Sequence, residues 1–340
     1  MRPASAPAVA RLTSPGEIVA ALPHVCGFVP SESLVVVSLR GLRKRMGITM
    51  RFDLAACAPA DLAAAEVVAR LRHDQADQAL LVVFTEQDGP LPRSALVSVV
   101  SAGCAAEGIA VHEALLVRDG RWFSYDCQNN RCCPRDGTPI PESSGSPGLS
   151  LLAAESVLDG RAVRGSRAEL AASVAPPGFL AARAAEQAQE HAFERWAQRI
   201  GADGDGAERA AATARWESAL GQAREGRFVL TAQEVADLAV WLHDIGLRDA
   251  ILVRIVDESE HLLALLLWLA RMTAPPEDAA VCTLLAVTAW VRGDGALANI
   301  ALDRALATDP DYSLATLVRI GLDRAVPPRQ VKQWLRASAA

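Results

Sequence analysis

Lysine is nearly missing from this chain of 340 residues: Lys44 and Lys332 are the only two, and arginine carries almost all the positive charge. Acidic residues outnumber basic ones by 40 to 34, which gives a formal charge of −6 and a pI near 5.6. A nucleic-acid backbone or an anionic membrane needs a broad basic face, and this balance argues against either as the main partner. The shortage of lysine beside abundant alanine reads as the codon bias of a GC-rich genome, without functional meaning. Long apolar runs are missing too. The longest, around Leu262–Ala270, is far too short for a bilayer, which takes roughly 20 residues. The opening MRPASAPAVARLTSPGEIVAAL holds no uninterrupted apolar stretch of the kind a secretory signal needs. The expectation is a cytoplasmic protein with no membrane partner.

Standard chemical motifs are absent as well. The sequence has no G-x4-G-K-[ST] phosphate loop, no H-E-x-x-H and no G-x-S-x-G elbow. The string Gly293-Asp-Gly295-Ala-Leu-Ala298 imitates a dinucleotide fingerprint but follows a helical pattern instead of a strand, so a helix-hairpin turn explains it. Asp203, Asp205 and Glu208 lack the distal glutamate of a calcium loop and read as solvated linker. The basic cluster Arg40, Arg43, Lys44, Arg45 and Arg51 has no interleaved aromatics to stack bases and reads as a solvated turn. His243-Asp244 and Glu260-His261 lie on predicted helices, and neither has a second ligand at i+4.

What is present changes character along the chain. Ser33–Arg40 and Met46–Leu54 are β-rich runs joined by a short basic turn, a hairpin pattern. A helical segment over 59–73 leads into the apolar run Ala79–Thr85, which has the continuous character of a buried strand. A second helix over 93–107 stops at Gly108, and Ile109–Val117 and Arg121–Asp126 flank the turn Asp119-Gly120. Alternating strands and helices flanked by antiparallel pairs predict a mixed sheet with helices packed on it. Pro134–Gly148, rich in proline, glycine and serine, reads as a loop or linker. From Leu149 onward the pattern is helical throughout, with segments near 150–159, 166–174, 179–200, 207–225, 231–244, 246–256, 258–272, 280–291, 296–307, 313–325 and 328–337. The predicted organisation is an α/β domain over 1–148 followed by an all-α domain over 149–340.

Residues Ala279–Tyr312 align with the tetratricopeptide pattern of 34 residues: Leu285, Gly293, Asp294, Ala298, Leu302, Ala305 and Pro310 stand where it wants apolar, turn, small and terminating residues. Shifting by one period places Ala264, Trp268 and Pro276 on matching positions. Cys282, Ala286 and Ala289 depart from it, standing where an aromatic, a glycine and an aromatic are usual. The helix hairpins at about 245–340 thus resemble tetratricopeptide repeats, with an ordinary helical bundle as the competing description.

Seven cysteines, an odd number, do not describe a disulfide scaffold. Cys127, Cys132 and Cys133 crowd the end of a strand and the start of a polar loop, where a chain is free to wrap a metal or present a thiol. Three readings stand together. The group holds zinc, with a fourth ligand from His112, His24, Cys26 or Cys104. Alternatively, Cys127 forms a redox pair with Cys132 or Cys133. The third reading is buried thiols packing a loop under the sheet. The spacing is not the paired C-x2-C knuckle of a standard zinc site.

The segment Pro23-His24-Val-Cys-Gly27-Phe28-Val-Pro30-Ser-Glu-Ser33, the strand end Arg51-Phe-Asp53, and Arg121-Trp122-Phe-Ser124-Tyr125-Asp-Cys127 followed by Cys132-Cys133-Pro134 and Gly137-Thr138-Pro139 together resemble the domain-of-unknown-function family numbered 4192. The likeness runs over most of the chain, including GDGALANIALDRALATDPDYSLA near its end. The resemblance implies one recurring architecture for the Gly-Phe-x-Pro turn and the cysteine segment, and no activity. Cys26 is not part of that pattern. Two functions remain as expectations. One is a binding or scaffold protein whose helical half meets a protein partner while the α/β half senses a ligand or regulates. The alternative is an enzyme with its site at the carboxyl ends of the parallel strands, around Asp53, Thr85 and Glu86, close to the cysteine loop.

Overall fold

The valines and leucines of Ser33–Arg40 put apolar side chains on both faces, and the segment forms β1 inside a sheet with almost every side chain buried. In the computed structural model, which describes residues 10–127, 129–142, 144, 146–158, 162–200 and 205–338, that sheet has six strands. They are β1, β2 (Arg45–Asp53), β3 (Gln78–Phe84), β4 (Ala110–Arg118), β5 (Arg121–Ser124) and β6 (Thr138–Pro139), in the order β2-β1-β3-β4-β5-β6. Strand β1 is antiparallel to both neighbours, β3 and β4 are parallel, and β5 and β6 continue antiparallel. The mixed sheet is therefore present. Its edge strand β6 lies within the segment read above as a loop, and two residues are too few to leave a periodic trace. Residues 143 and 145 of that segment lie outside the described residues.

Helices α2 (Ala60–His73) and α3 (Ser94–Ala106) cover one face, where Val67, Leu71, Val97 and Val100 meet Leu34, Val36, Leu81, Val83 and Leu116. Helix α1 (Pro15–Cys26) covers the other, placing Val19 and Leu22 against Val35, Val37, Leu80, Val82, Leu115 and Trp122. Each fully buried aliphatic side chain adds roughly 1.5–3 kcal/mol. Local chemistry fixes the start of α1: Ser14 caps it by accepting from the Glu17 N–H at 3.2 Å, Glu17 reaches back to the Thr13 amide at 2.5 Å, and Pro15 sits in the first turn. The turn Asp119-Gly120 between β4 and β5 has φ of 50° and 68°, the left-handed pair a tight hairpin requires. Helix α4 (Pro147–Leu158) packs on α1.

Contacts divide the chain into Met1–Arg167 and Ala168–Ala340. Helix α5 (Arg167–Ala172) spans the division. The second unit contains α6 (Phe179–Ile200), α7 (Asp205–Arg224), α8 (Ala232–Val240), a 3-10 turn (Trp241–His243), α9 (Ile245–Met272), α10 (Asp278–Val291), α11 (Gly295–Thr308), α12 (Ser313–Asp323) and α13 (Pro328–Ala337). No strand occurs among its described residues. Asp203, part of the calcium-like string, lies outside the described residues.

The two helices read from sequence on either side of residue 257 meet within α9 at a kink, where Glu258 is non-helical at φ −121° and ψ 23°. Its carboxylate accepts from Arg254 Nε at 3.2 Å and Arg224 Nε at 3.0 Å, which anchors the kink to α7. Helix α10 is buried along nearly its whole length. It packs on α11 through small residues: Ala286, Ala289, Ala298, Ala301 and Ala305 are all fully buried, and Gly293, at φ 80°, makes the turn. Asp294 then caps α11 through the Leu297 N–H at 2.9 Å.

Candidate thiolate metal centre

Strand β5 delivers the first cysteine. Its Ser124 Oγ accepts from the amides of Asp126 at 3.2 Å and Cys127 at 3.0 Å, turning the chain off the sheet. Asn129 turns it back: its carbonyl accepts from the amides of Cys132 at 3.2 Å and Cys133 at 2.8 Å, and its Oδ1 from the Arg131 N–H at 3.0 Å. This double turn brings the thiols of Cys127, Cys132 and Cys133 within 4.8 Å of one another. Cys127 and Cys132 sulfurs are 3.5 Å apart. Cys132 is exposed, Cys127 half-buried, and Cys133 half-buried against the α1-side core that includes Trp122 and Ile140.

The environment splits the thiols electrostatically. The Cys127 thiol lies below its ordinary value, chiefly because Asn129 backbone and then Cys132 and Cys133 bond to it, although burial and the Glu113 charge oppose this. Burial, followed by the neighbouring Cys127 and Cys132, pushes the Cys133 thiol up to about 12.

The donor set fits a tetrahedral thiophilic ion. Metal–sulfur bonds of about 2.3 Å place sulfurs roughly 3.8 Å apart, within the spread of this group. None of the expected fourth ligands joins it. Cys104 lies on α3 in the core on the opposite face of the sheet. His112 is exposed on β4 beside Lys44, Nε2 to Nζ 3.0 Å. His24 ends α1 with its Nδ1 buried and without a partner among the described residues, and burial lowers its pKa. Cys26 is buried in the last turn of the same helix. Residue types alone nominate these four, whereas sheet faces exclude Cys104.

The strand-end residues form a separate arrangement. Thr85, which follows β3, donates its hydroxyl to Glu32 Oε1 at 2.8 Å, and the Glu86 amide reaches the same oxygen at 3.0 Å. Asp53 pairs with Arg51 at 2.5 Å, and that guanidinium, together with its charge, holds the Asp53 carboxyl below its usual value. Thr85 bonds to Val117 near the carboxyl end of β4, while the Tyr125 amide, two residues before Cys127, bonds to Ala114 at the middle of that strand. The intervening residues span about 10 Å of strand. Sequence reasoning missed the roles of Ser124 and Asn129, which lie in backbone turns marked by serine and asparagine beside a strand end, and that of Glu32, whose partners Thr85 and Glu86 are distant in sequence.

Residues 15–329 match the family described as Domain of unknown function (DUF4192). The chain belongs to this family. No curated protein and no solved structure matches it. In this DUF4192 chain, the matched span covers most of both units and contains all three clustered cysteines.

Proposed function

We propose that this DUF4192 protein is a cytoplasmic binding protein. Its α/β unit holds one zinc ion through Cys127, Cys132 and Cys133, and its helical unit meets a protein partner through hairpins of tetratricopeptide type at about 245–340. The observation that carries the reading is the convergence of three sulfurs within 4.8 Å on a loop shaped by Ser124 and Asn129. Zinc prefers such a donor set, and a reducing compartment keeps the thiols available. Three protein ligands leave a fourth position for water or a donor from a bound partner. The small-residue packing of α10 on α11 is the feature of helical repeats that lets paired helices approach closely. Exposed Leu317, Ile320 and Trp334 on α12 and α13 give the helical unit apolar contact surface. No helix of the described residues is long and apolar enough to cross a membrane.

Elemental analysis of protein purified under reducing conditions tests the metal site. One zinc per chain, lost when the three cysteines are replaced by serine in a chain that remains folded by circular dichroism, supports it. Metal-free protein that takes up none from micromolar zinc rejects it. The enzyme alternative rests on the strand ends, where Thr85 and Asp53 are already committed to Glu32 and Arg51. It gains support only if Glu32→Gln abolishes a measurable turnover.

A further inference from the structure

Beyond metal binding, the geometry of the loop points to chemistry between two of its sulfurs. We propose that Cys127 and Cys132 form a thiol–disulfide couple that closes on exposure to a hydroperoxide and reopens with a dithiol reductant. Their sulfurs lie 3.5 Å apart before any bond exists, so closure to a bond of about 2.05 Å needs only a small displacement. Turns at Ser124 and Asn129 hold the two cysteines, and Asn129, Asn130 and Arg131 between them are exposed.

The alternatives within the group are poorer. Cys132 and Cys133 are adjacent, and neighbouring Cα atoms sit about 3.8 Å apart, below the roughly 4.4–6.8 Å that a relaxed disulfide uses. Cys133 packs its side chain into the α1-side core with Trp122 and Ile140, so bonding would draw it out of apolar contacts. Cys132 is the exposed member and meets the oxidant first.

The reaction balances with a hydroperoxide as the two-electron oxidant. The Cys132 thiolate attacks the peroxide oxygen, the O–O bond breaks, and sulfenic acid forms with release of hydroxide when the oxidant is hydrogen peroxide. The Cys127 thiolate attacks the sulfenic sulfur, the S–O bond breaks, and hydroxide leaves as the disulfide forms. The two thiol protons neutralise the two hydroxides, so two thiols and one peroxide yield one disulfide and two waters.

The test uses the full chain, freed of metal with a chelator and treated with stoichiometric hydrogen peroxide. The expected result is the loss of two of the seven thiols, a Cys127–Cys132 link in peptide mapping, and recovery with dithiothreitol. Cys133→Ser retains the link; Cys127→Ser loses it and keeps a sulfenic acid on Cys132 trappable with dimedone, and Cys132→Ser loses both the link and the sulfenic acid. A link between any other pair, or thiol loss that Cys132→Ser leaves unchanged, overturns the proposal. The metal reading is scored separately by zinc uptake of the reduced chain. Disulfide formation without zinc uptake removes the metal reading alone, and zinc uptake without a disulfide removes this one alone.

Discussion

Gly137 lies so close to Phe123 that a Cβ at Gly137 would come within 2.6 Å of the ring's Cζ. Its φ of 74° falls in the left-handed region, and the Arg121 guanidinium donates to its carbonyl at 3.1 Å. The chain leaving the thiol loop is thereby pressed onto β5 just before β6 begins. Gly137→Ala is expected to cost about 1–3 kcal/mol through strain and the displaced ring. Urea unfolding measures that cost. A tighter prediction accompanies it: the thiols of Cys132 and Cys133 react faster with a thiol reagent in the variant, because the loop closes less firmly.

In the helical unit, Arg304 pairs with Asp278 at 2.9 Å, where the aspartate is 2 % exposed. The same guanidinium donates to the carbonyls of Val174 and Ala270, each at 2.6 Å, and Thr273 at 3.0 Å. Arg304→Ala leaves a buried carboxylate and orphaned carbonyls, and a loss of about 3–5 kcal/mol is expected. The double change Arg304→Met with Asp278→Leu should recover part of it. Denaturation midpoints of the single and double variants decide the matter, and equal losses in both would contradict the assignment.

Asp244 caps α9 through the Leu247 N–H at 2.8 Å and binds Arg209 Nη2 at 2.7 Å. Burial alone raises its pKa, but the hydrogen bonds from Arg209 and Leu247 outweigh it, so the carboxyl lies below its ordinary 3.8. The unfolded chain then holds this proton more tightly than the folded chain does. The stabilisation is complete above the unfolded value and drains away as pH falls through the lower folded one. Asp244→Asn should cost on the order of 1 kcal/mol at neutral pH. The gap between variant and parent should narrow below about pH 4. A gap independent of pH would show that the charge is irrelevant.

Thiol accessibility gives a fourth expectation. Cys57 and Cys104 are buried and raised by burial, and burial pushes Cys282 up to about 12. In native, metal-free protein, a charged thiol reagent should modify Cys127 and Cys132 first, with Cys57, Cys104 and Cys282 reacting only on unfolding. Mass mapping of early products checks the order.

Much of the architecture was legible because its patterns are local. The valine run of β1, the Asp119-Gly120 turn and the small-residue spacing of α10 and α11 each state their conformation within a few residues. Helix α1 is also written locally, in the capping residues Ser14-Pro15-Gly-Glu17 and the following Gly27, although it carries no long apolar run. The break inside α9 was legible in the polar run Asp257-Glu258-Ser259, whereas Arg224, which comes from another helix to hold the kink, was not. The three cysteines of the candidate centre announced themselves by proximity along the chain. The exclusion of Cys104 depends on sheet faces, which are products of long-range pairing and leave no local trace.

Strand β6 is two residues long, and one of them, Pro139, has no amide hydrogen. A chain arriving at that border of the sheet finds a donor missing and almost no length along which to zip. The short segment after the thiol loop therefore also guards against aggregation: runaway strand addition between copies is blunted on that side, even when the protein is concentrated.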